Sequence, residues 1–481
     1  MSRNWQAAAL LIVFALISIW VGKFITATSS MFIPLALAGL LFLTFTTFVR
    51  PHIAIVILVL SMMLSPEIPI AQLSRKELVI RIDDFLIILV FISWLVKIAI
   101  NKEIGLTIKT PLNKLLIAYS VVAAISTTLG IYRGDINAAS SFFFVLKYFE
   151  YYMLFFLVLN NVNDKRLLKL YLYAGVFTCV IVTLYAYSQI GSVDRLTAPF
   201  EAPIGKEEGM TYAEPGTLGG YYLLVFGLIF GFLSEYSGKI TLFFWGLIIF
   251  IINPFFLTLS RASYIGLGIL ILSFMFLARS KRVLLIGACL AGALFYSVFS
   301  ITTKQAVTER IAYTVKGADY VYGTRKINVF GKEILLEPST AMRLGNYEWI
   351  IKDFFPKRPF LGYGATGVGL VDAQYPRILG EMGIIGLAIF FAIVITIFKQ
   401  SWKIYKQIDH PLSKSLSLGL IFILIGIMFQ ALGANTFIIV RIMEPFWFLT
   451  AVVFSLPKLY DIEIDPVRDQ GVVKPVIQKM A

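Results

Sequence analysis

The residues in this chain that could do chemistry are arginines and one aspartate that stand between long apolar runs. The arginines are Arg133, Arg195, Arg261, Arg343, Arg377 and Arg441. A planar guanidinium binds phosphate through two parallel charged hydrogen bonds, so these residues are suited to hold an anionic group. Asp372 precedes an apolar run and could either cap a helix or accept a proton as a general base.

Structural interpretations stand beside these chemical ones. Arg261 follows Ser260, so the pair could simply be a serine-capped helix start with an arginine that reaches the lipid headgroups. Lys147 and Glu150 are three residues apart inside an apolar run, and we interpret them as a pair that neutralises itself. Asp83-Asp84 opens another run, where we expect a helix cap.

Several kinds of site are missing from the sequence. The two histidines, His52 and His410, fall on the opposite face from the arginines, so neither can act as a base beside them. The face that carries the arginines also has no Asp-x-Asp pair, and the chain has no glycine-rich phosphate loop or nucleophile elbow. The sequence therefore predicts no metal and no cofactor.

The composition is that of an integral membrane protein. Of 481 residues, 58% are hydrophobic and only 15% are charged, whereas soluble domains are near 45–50% and 25%. The net charge of +14 is largely loop lysine and arginine of the kind that orients membrane helices, so we do not expect nucleic acid as a partner. The lipid bilayer is the expected surrounding.

Hydropathy predicts an all-α polytopic membrane protein, a bundle of about 12–14 transmembrane helices with one long extramembrane loop on the outer side. The predicted spans are 5–25, 31–49, 52–65, 83–100, 113–131, 141–159, 167–190, 217–234, 240–258, 262–278, 283–300, 378–398, 414–434 and 442–457. The domains are then 1–300 with eleven helices, the loop domain 301–377, the last helices in 378–457, and a cytoplasmic tail 458–481.

Basic residues give the orientation. Four short loops rich in lysine and arginine fall on one side, which places that side and both termini in the cytoplasm. The six arginines and Asp372 then lie on the outer side, where arginine is disfavoured unless it has a task. The aromatic residues of the long loop, from Trp349 to Tyr363, predict short helices on the membrane surface or a platform for sugar stacking.

Residues 190–390 resemble the O-antigen ligase and polymerase superfamily of bacterial inner-membrane glycosyltransferases. The matching pieces are Arg195-Leu196-Thr197-Ala198-Pro199-Phe200 with Ala213-Glu214-Pro215-Gly216, Ser260-Arg261, Arg343 with Trp349 and Pro359 to Gly364, and Tyr375 with Glu381 and Gly383. The chain departs from the ligases at one place. Where they carry His-Asn shortly before an aromatic residue, this chain has Asp372-Ala373, which is more similar to polymerases of the Wzy type.

The resemblance implies a bundle of about 12–14 transmembrane helices with a large helical periplasmic loop, 301–377. It also implies a metal-independent, inverting glycosyltransferase of the inner membrane whose site faces the periplasm. Its partners would be an undecaprenyl-pyrophosphate-linked glycan and a chain-length regulator. Arg261 and Asp372 would be catalytic, Arg195 and Arg343 would bind the pyrophosphate, and Tyr375 and Arg377 would shape the acceptor side. We favour a polymerase of O-antigen or exopolysaccharide. A ligase acting on lipid A core or a protein hydroxyl, and a transporter or flippase, are the alternatives.

Overall fold

The structure is a computed structural model that describes most of the chain. The described residues are 50–73, 76–100, 108–201, 205–207, 210–212, 214–278, 325–329, 332–336, 338–369 and 371–462, with Thr46 and Thr308. The predicted spans 5–25, 31–49 and 283–300 therefore lie outside them, as do much of the predicted loop domain before 338 and the tail beyond 462.

Helices make up most of the described part. They are α1 (Pro51–Leu64), α2 (Ile82–Ile100), α3 (Leu112–Tyr132), α4 (Ala138–Asn161), α5 (Lys165–Ser188), α6 (Pro215–Glu235), α7 (Lys239–Leu257), α8 (Arg261–Leu277), α9 (Pro338–Trp349), α10 (Gln374–Gln407), α11 (Pro411–Gln430) and α12 (Val440–Leu459). A π-helical turn, Ile350–Phe354, continues α9, and a 3₁₀ turn, Thr436–Ile438, precedes α12.

Three small antiparallel hairpins connect some of these helices. They are β1 (Glu67–Leu73) with β2 (Lys76–Arg81), β3 (Gly205–Glu207) with β4 (Met210–Tyr212), and β5 (Arg325–Val329) with β6 (Lys332–Leu336). The three hairpins do not pair with one another in the described part of the chain. They are details of the loops, and the helices form the body of the protein.

Eight helices within the described ranges are long and apolar enough to cross a membrane, namely α3, α4, α5, α6, α7, α10, α11 and α12. Two shorter apolar helices, α1 and α8, accompany them. Such segments fold as helices because lipid offers no partner for an unpaired backbone group. The predicted all-α, multi-pass membrane protein is thus confirmed. The division of 240–278 is also resolved, since α7 ends at Leu257 and α8 begins at Arg261.

Polar residues at the helix starts fix where several helices begin. The side chain of Asn137 accepts a hydrogen bond from the backbone nitrogen of Ala139 at 3.0 Å and so caps α4. Asp164 accepts from the nitrogen of Arg166 at 2.9 Å and caps α5. Each cap satisfies backbone donors that have no partner within the first turn of a helix.

The core is built on the close approach of α6 to α11. A Cβ atom placed on Gly227 would lie 2.5 Å from Cγ1 of Ile423, and one on Gly231 would lie 2.2 Å from the carbonyl oxygen of Ser415. The two glycines are four residues apart and share one face of α6, as in the small-residue motif of packed membrane helices. Any side chain there would push the two helices apart.

Helix α10 is broken near its start, and the break holds a glycine-rich loop. Gly383 has a φ of 65° inside the helix. The segment from Pro359 to Gly364, a Pro-x-x-Gly-x-Gly element that the sequence analysis identified, binds the opened backbone there. The nitrogen of Tyr363 donates to the oxygen of Gly380 at 3.0 Å, and the nitrogen of Ile384 donates to the oxygen of Pro359 at 2.8 Å. The element therefore positions the first segment of α10.

Candidate functional site

The turn 431–439 between α11 and α12 connects the pieces of the candidate site. Asn435 donates from Nδ2 to the carbonyl oxygen of Val371 at 2.6 Å. The hydroxyl of Tyr347, on α9, donates to the carbonyl oxygen of Leu432 at 3.0 Å. These bonds join α9 and the segment before α10 to one turn. We call the end of the bundle at which this turn lies the site end.

Asp372 lies beside this turn, and its carboxylate interacts electrostatically with the buried Arg377. The side chain is half-buried and accepts no hydrogen bond from the described residues. It does not cap α10. The cap position belongs to Ala373, which makes no side-chain capping bond, and the nitrogen of Gln374 donates to the carbonyl oxygen of Ala431 at 3.1 Å. The capping interpretation of Asp372 is therefore wrong, and the carboxylate remains available for other chemistry.

Arg343 approaches the same turn from α9. A Cβ atom built on Gly433 would lie 3.8 Å from Cδ of Arg343 and 3.6 Å from Cβ of Ala262. Arg343 and the start of α8 thus both approach Gly433. The Nε atom of Arg343 is buried and donates no hydrogen bond within the described part of the chain. A buried donor without an acceptor is unfavourable, and an anion bound here would satisfy it.

Arg261 is the first residue of α8 and lies half-buried next to Ala262. Ser260 occupies the cap position but makes no side-chain capping bond to the helix. Its hydroxyl is paired instead with that of Ser263 at 2.9 Å. The expected serine cap is therefore absent at this helix start.

Arg195 reaches the end of α7, directly before Arg261. Its Nε donates to the carbonyl oxygen of Thr258 at 3.3 Å, and its Nη2 donates to that of Leu259 at 3.2 Å. Leu259 has a φ of 50°, an uncommon conformation for a residue with a side chain. The bonds from Arg195 stabilise this turn, so Arg195 is held against the backbone two residues before Arg261.

The start of α6 adjoins the start of α8. Gln430, which is fully buried, donates from Nε2 to the carbonyl oxygen of Gly216 at 3.1 Å and to the hydroxyl of Ser263 at 3.0 Å. Helices α6, α8 and α10 therefore all begin at the site end. Helix N-termini carry partial positive charge and exposed N–H groups, and both favour an anion.

An acidic residue, Glu201, also stands near the start of α6. Glu201 accepts a hydrogen bond from the hydroxyl of Thr217 at 2.7 Å. Burial raises the pKa of Glu201 to about 8, and the nearby charge of Glu67 adds to the shift. Because Glu201 holds its proton near neutral pH, it weakens the positive character of this end less than its formal charge suggests.

The other two predicted site residues, Tyr375 and Arg377, are bound inside the helix bundle. The hydroxyl of Tyr375 donates to the carbonyl oxygen of Met428 at 2.6 Å. Its ring stacks on Phe391 with 5.7 Å between the ring centres. Nε of Arg377, which is buried, lies 3.0 Å from Oε1 of Glu381. Both residues follow Asp372 in the sequence, and their contacts hold its segment in place.

An ion pair holds the loop between α3 and α4 to the segment that follows the π-helical turn. Arg358 binds Asp135 through both of its terminal nitrogens, and its guanidinium lies 4.2 Å from the centre of the Tyr363 ring. The hydrogen bond from Arg358 lowers the pKa of Asp135. Arg133, another of the six arginines, donates to the carbonyl oxygen of Gly362 at 3.2 Å. These contacts secure the glycine-rich element from outside.

Arg441, the last of the six arginines, has a structural task. It is fully buried and donates to the carbonyl oxygens of Met63 at 2.6 Å, Pro199 at 2.5 Å and Ser65 at 3.0 Å. Its Nε also pairs with Glu67 at 3.0 Å. The residue joins two separate segments of backbone, 63–65 and Pro199, to the start of α12, and its donors are used in doing so.

A buried cluster of charges lies deeper in the bundle. Its members are Arg81, Asp83, Asp84, Lys147, Glu150 and Glu444. Nζ of Lys147 lies 2.9 Å from Glu150, which confirms the predicted pair, and 2.6 Å from Asp84. Arg81 lies 2.7 Å from Asp83. We call this set the buried charge cluster.

The sequence did not reveal the full size of this cluster. Oxygens of Asp83, Asp84 and Glu444 lie within 4.8 Å of one another, so the three carboxylates could hold a cation. Arg81, whose Nη2 lies 3.7 Å from Glu444, already places a positive charge among them. The expected role of Asp83-Asp84 as a simple cap is thus incomplete. Glu444 is a lone acidic residue in the second turn of an apolar helix, and this could have indicated from the sequence that more charges lie inside the bundle.

Comparison of the chain with family models and with curated proteins finds no match. The function inferred for the site therefore depends on its residues, their contacts and the resemblance of the motifs.

Proposed function

We propose that this protein is an inner-membrane inverting glycosyltransferase that polymerises undecaprenyl-pyrophosphate-linked oligosaccharide units into O-antigen or exopolysaccharide on the periplasmic side. One observation carries the proposal. Arg343 and Ala262, the residue that follows Arg261 at the start of α8, both approach Gly433, and the segment that carries Asp372 is bonded to the same turn. This supplies an anion-binding group and a base to one place.

The donor pyrophosphate would bind at the arginines. Arg261 and Arg343 approach the turn from two helices, and Arg195 supports the residue before the α8 start. Three helix N-termini add partial positive charge at the same end. As the glycosidic carbon–oxygen bond breaks, its electron pair passes to the pyrophosphate. Arginine stabilises that charge, and removing one such preorganised donor costs about 3–4 kcal/mol in the barrier.

Asp372 would act on the acceptor. Its carboxylate takes the proton of a sugar hydroxyl on a second lipid-linked unit, and the hydroxyl oxygen bonds to the anomeric carbon on the face opposite the leaving group. The anomeric configuration is inverted as a result. No metal is needed in this scheme, because the arginines supply the positive charge. Tyr375 and Arg377 hold the segment that carries Asp372.

The test uses purified protein, lipid-pyrophosphate-linked units and a gel that resolves polymer ladders. We expect Arg343→Ala and Asp372→Asn to lower ladder formation by about 100-fold or more. Lys357→Ala is the matched control, since Lys357 is exposed on the same segment and should leave the ladder intact. A ladder that survives both substitutions contradicts the site. A product that forms only when lipid A core or a protein acceptor is added supports the ligase instead, and Asp372→His then tests the acceptor preference.

The buried charge cluster favours a second candidate function, a transporter or flippase. Charges inside a membrane protein commonly mark an ion or substrate path. A transporter requires Lys147 and tolerates Asp372→Asn, whereas a glycosyltransferase requires Asp372. Movement of a lipid-linked glycan across vesicle membranes, measured beside ladder formation for Lys147→Gln and Asp372→Asn, distinguishes the two.

A further inference from the structure

A large apolar cavity lies along α5, α6 and α7, away from the candidate site. Its volume is about 580 Å³, within the usual range of ligand cavities. Most of its wall is aliphatic or aromatic, including Tyr221, Leu228, Phe232, Phe244 and Phe448. Gly175 also lines it. An occupant must therefore present mainly hydrocarbon.

Two lysines stand at one end of this cavity. Lys169 lies in the second turn of α5, and Lys239 is the first residue of α7. Both are exposed, and neither makes a salt bridge to a residue that the structure describes. The pKa of His410, at the same end, is lowered first by partial loss of water and then by Lys165 and Lys169. The field at this mouth, which we call the lysine end, is therefore positive.

The lysine end is far from the candidate pyrophosphate site. Helix α6 begins at the site end with Pro215 and finishes at Glu235, four residues before Lys239. Its 21 residues span about 31 Å, roughly the thickness of the hydrocarbon core. The lysines thus lie near the membrane surface opposite the candidate site. A ligand with its charged group here has its headgroup in the other leaflet from the proposed donor.

We infer that this cavity binds one anionic phospholipid, with an acyl chain along the apolar wall and the phosphate between Lys169 and Lys239. Charge complementarity selects the headgroup, because a lysine near the membrane surface attracts anionic lipid. Lysine also suits the interface, since its aliphatic stem packs on the wall while the ammonium stays at the surface. The inference does not depend on the proposed glycosyl transfer.

The cavity offers a direct way to block the acyl chain. No atom lies within 4 Å of a Cβ built on Gly175, so a larger side chain at this position extends into the cavity without a backbone clash. Gly246, on the outer side of α7, also has nothing within 4 Å and does not line the cavity. Gly175→Phe and Gly246→Phe are therefore a matched pair.

The experiment measures lipid retained by the full-length protein in native mass spectrometry after exchange into mixed phosphatidylglycerol and phosphatidylcholine. We expect preferential retention of phosphatidylglycerol. The double variant Lys169→Gln/Lys239→Gln should bind it about thirtyfold more weakly, and Lys399→Gln, an exposed lysine elsewhere, should bind as the wild type does. Gly175→Phe should lose the lipid, while Gly246→Phe should keep it.

Other outcomes overturn the inference. Equal retention of the two phospholipids, or unchanged retention in the lysine double variant, removes the headgroup site. Retention in Gly175→Phe places the acyl chain elsewhere. Displacement of phosphatidylglycerol by undecaprenyl phosphate, independent of the two lysines, identifies the cavity as a polyprenyl site. If Gly175→Phe does not elute as a single species in size-exclusion chromatography, Gly175→Leu replaces it as the blocking variant.

Discussion

The break in α10 gives a prediction whose size follows from the structure. Gly383→Ala places a methyl group at a φ of 65°, where the new Cβ would lie 2.2 Å from the carbonyl oxygen of Phe360. The left-handed conformation costs a residue with a Cβ about 1–2 kcal/mol, and overpacking a tight contact costs about 1–3 kcal/mol. We therefore expect the free energy of unfolding to fall by about 2–5 kcal/mol.

The same substitution should also affect the candidate site. Moving the backbone of Phe360 disturbs the bonds on both sides of the break, from Ile384 nitrogen to Pro359 oxygen at 2.8 Å and from Tyr363 nitrogen to Gly380 oxygen at 3.0 Å, the second of which holds the first segment of α10. That segment follows Asp372 directly, so the rate of ladder formation should fall with stability. Unfolding in mixed micelles gives the free energy, and the gel assay gives the rate.

Two controls distinguish this account from a general sensitivity of helical glycines. Gly246→Ala, with no atom within 4 Å of its Cβ, should be neutral or slightly stabilising because alanine favours helix. Adding Phe360→Ala to Gly383→Ala should not restore stability, since the clash is with the Phe360 carbonyl and not with its ring. If Gly383→Ala unfolds like Gly246→Ala, or if the second substitution rescues it, our account of the break is wrong.

Two further predictions concern Glu201 and the core. Because Glu201 binds its proton more tightly in the folded protein, stability should fall as pH rises from its ordinary pKa towards about 8, by at most about 1.4 kcal/mol per pH unit. Glu201→Gln should remove this dependence in unfolding curves taken between pH 5 and 9, and an unchanged profile would contradict the assignment. Gly231→Ala should destabilise the protein by about 1–3 kcal/mol because its Cβ meets the Ser415 oxygen at 2.2 Å. Gly268→Ala, in open space, should not, and equal unfolding of the two would refute the close packing of α6 on α11.

Hydropathy predicted the described spanning helices to within a few residues at most ends, because lipid enforces helical backbone wherever apolar residues continue. Helix α10 was predicted less accurately, since it begins at Gln374 instead of 378 and ends at Gln407 instead of 398. Its first turns contain Gln374, Arg377 and Glu381, which are polar yet buried, so an apolar scan places the start at 378 instead of Gln374. Burial of paired charges is decided by packing, and a hydropathy window cannot detect it.

The candidate site could be predicted only in part. Asp372 and Arg343 were identified from their motifs, and the structure brings both to the turn 431–439. Their partners Gly433 and Asn435 were not identified. They lie about 60 to 90 residues further along the chain, and no helical or strand periodicity relates residues so far apart. Periodicity shows which face of a helix is apolar and does not show which helices pack together.

The contacts of Arg441 bear on how this protein is made. Helix α12 is the least apolar of the eight spanning helices, and its first two turns carry Arg441 and Glu444, which favour water over lipid. The groups that neutralise them, Glu67 and Arg81, belong to segments synthesised more than 350 residues earlier. Partition into lipid alone is therefore a weak force for inserting α12. Its entry must be completed by docking onto helices already in place, so that α12 joins the bundle by an assembly step and not by an independent insertion.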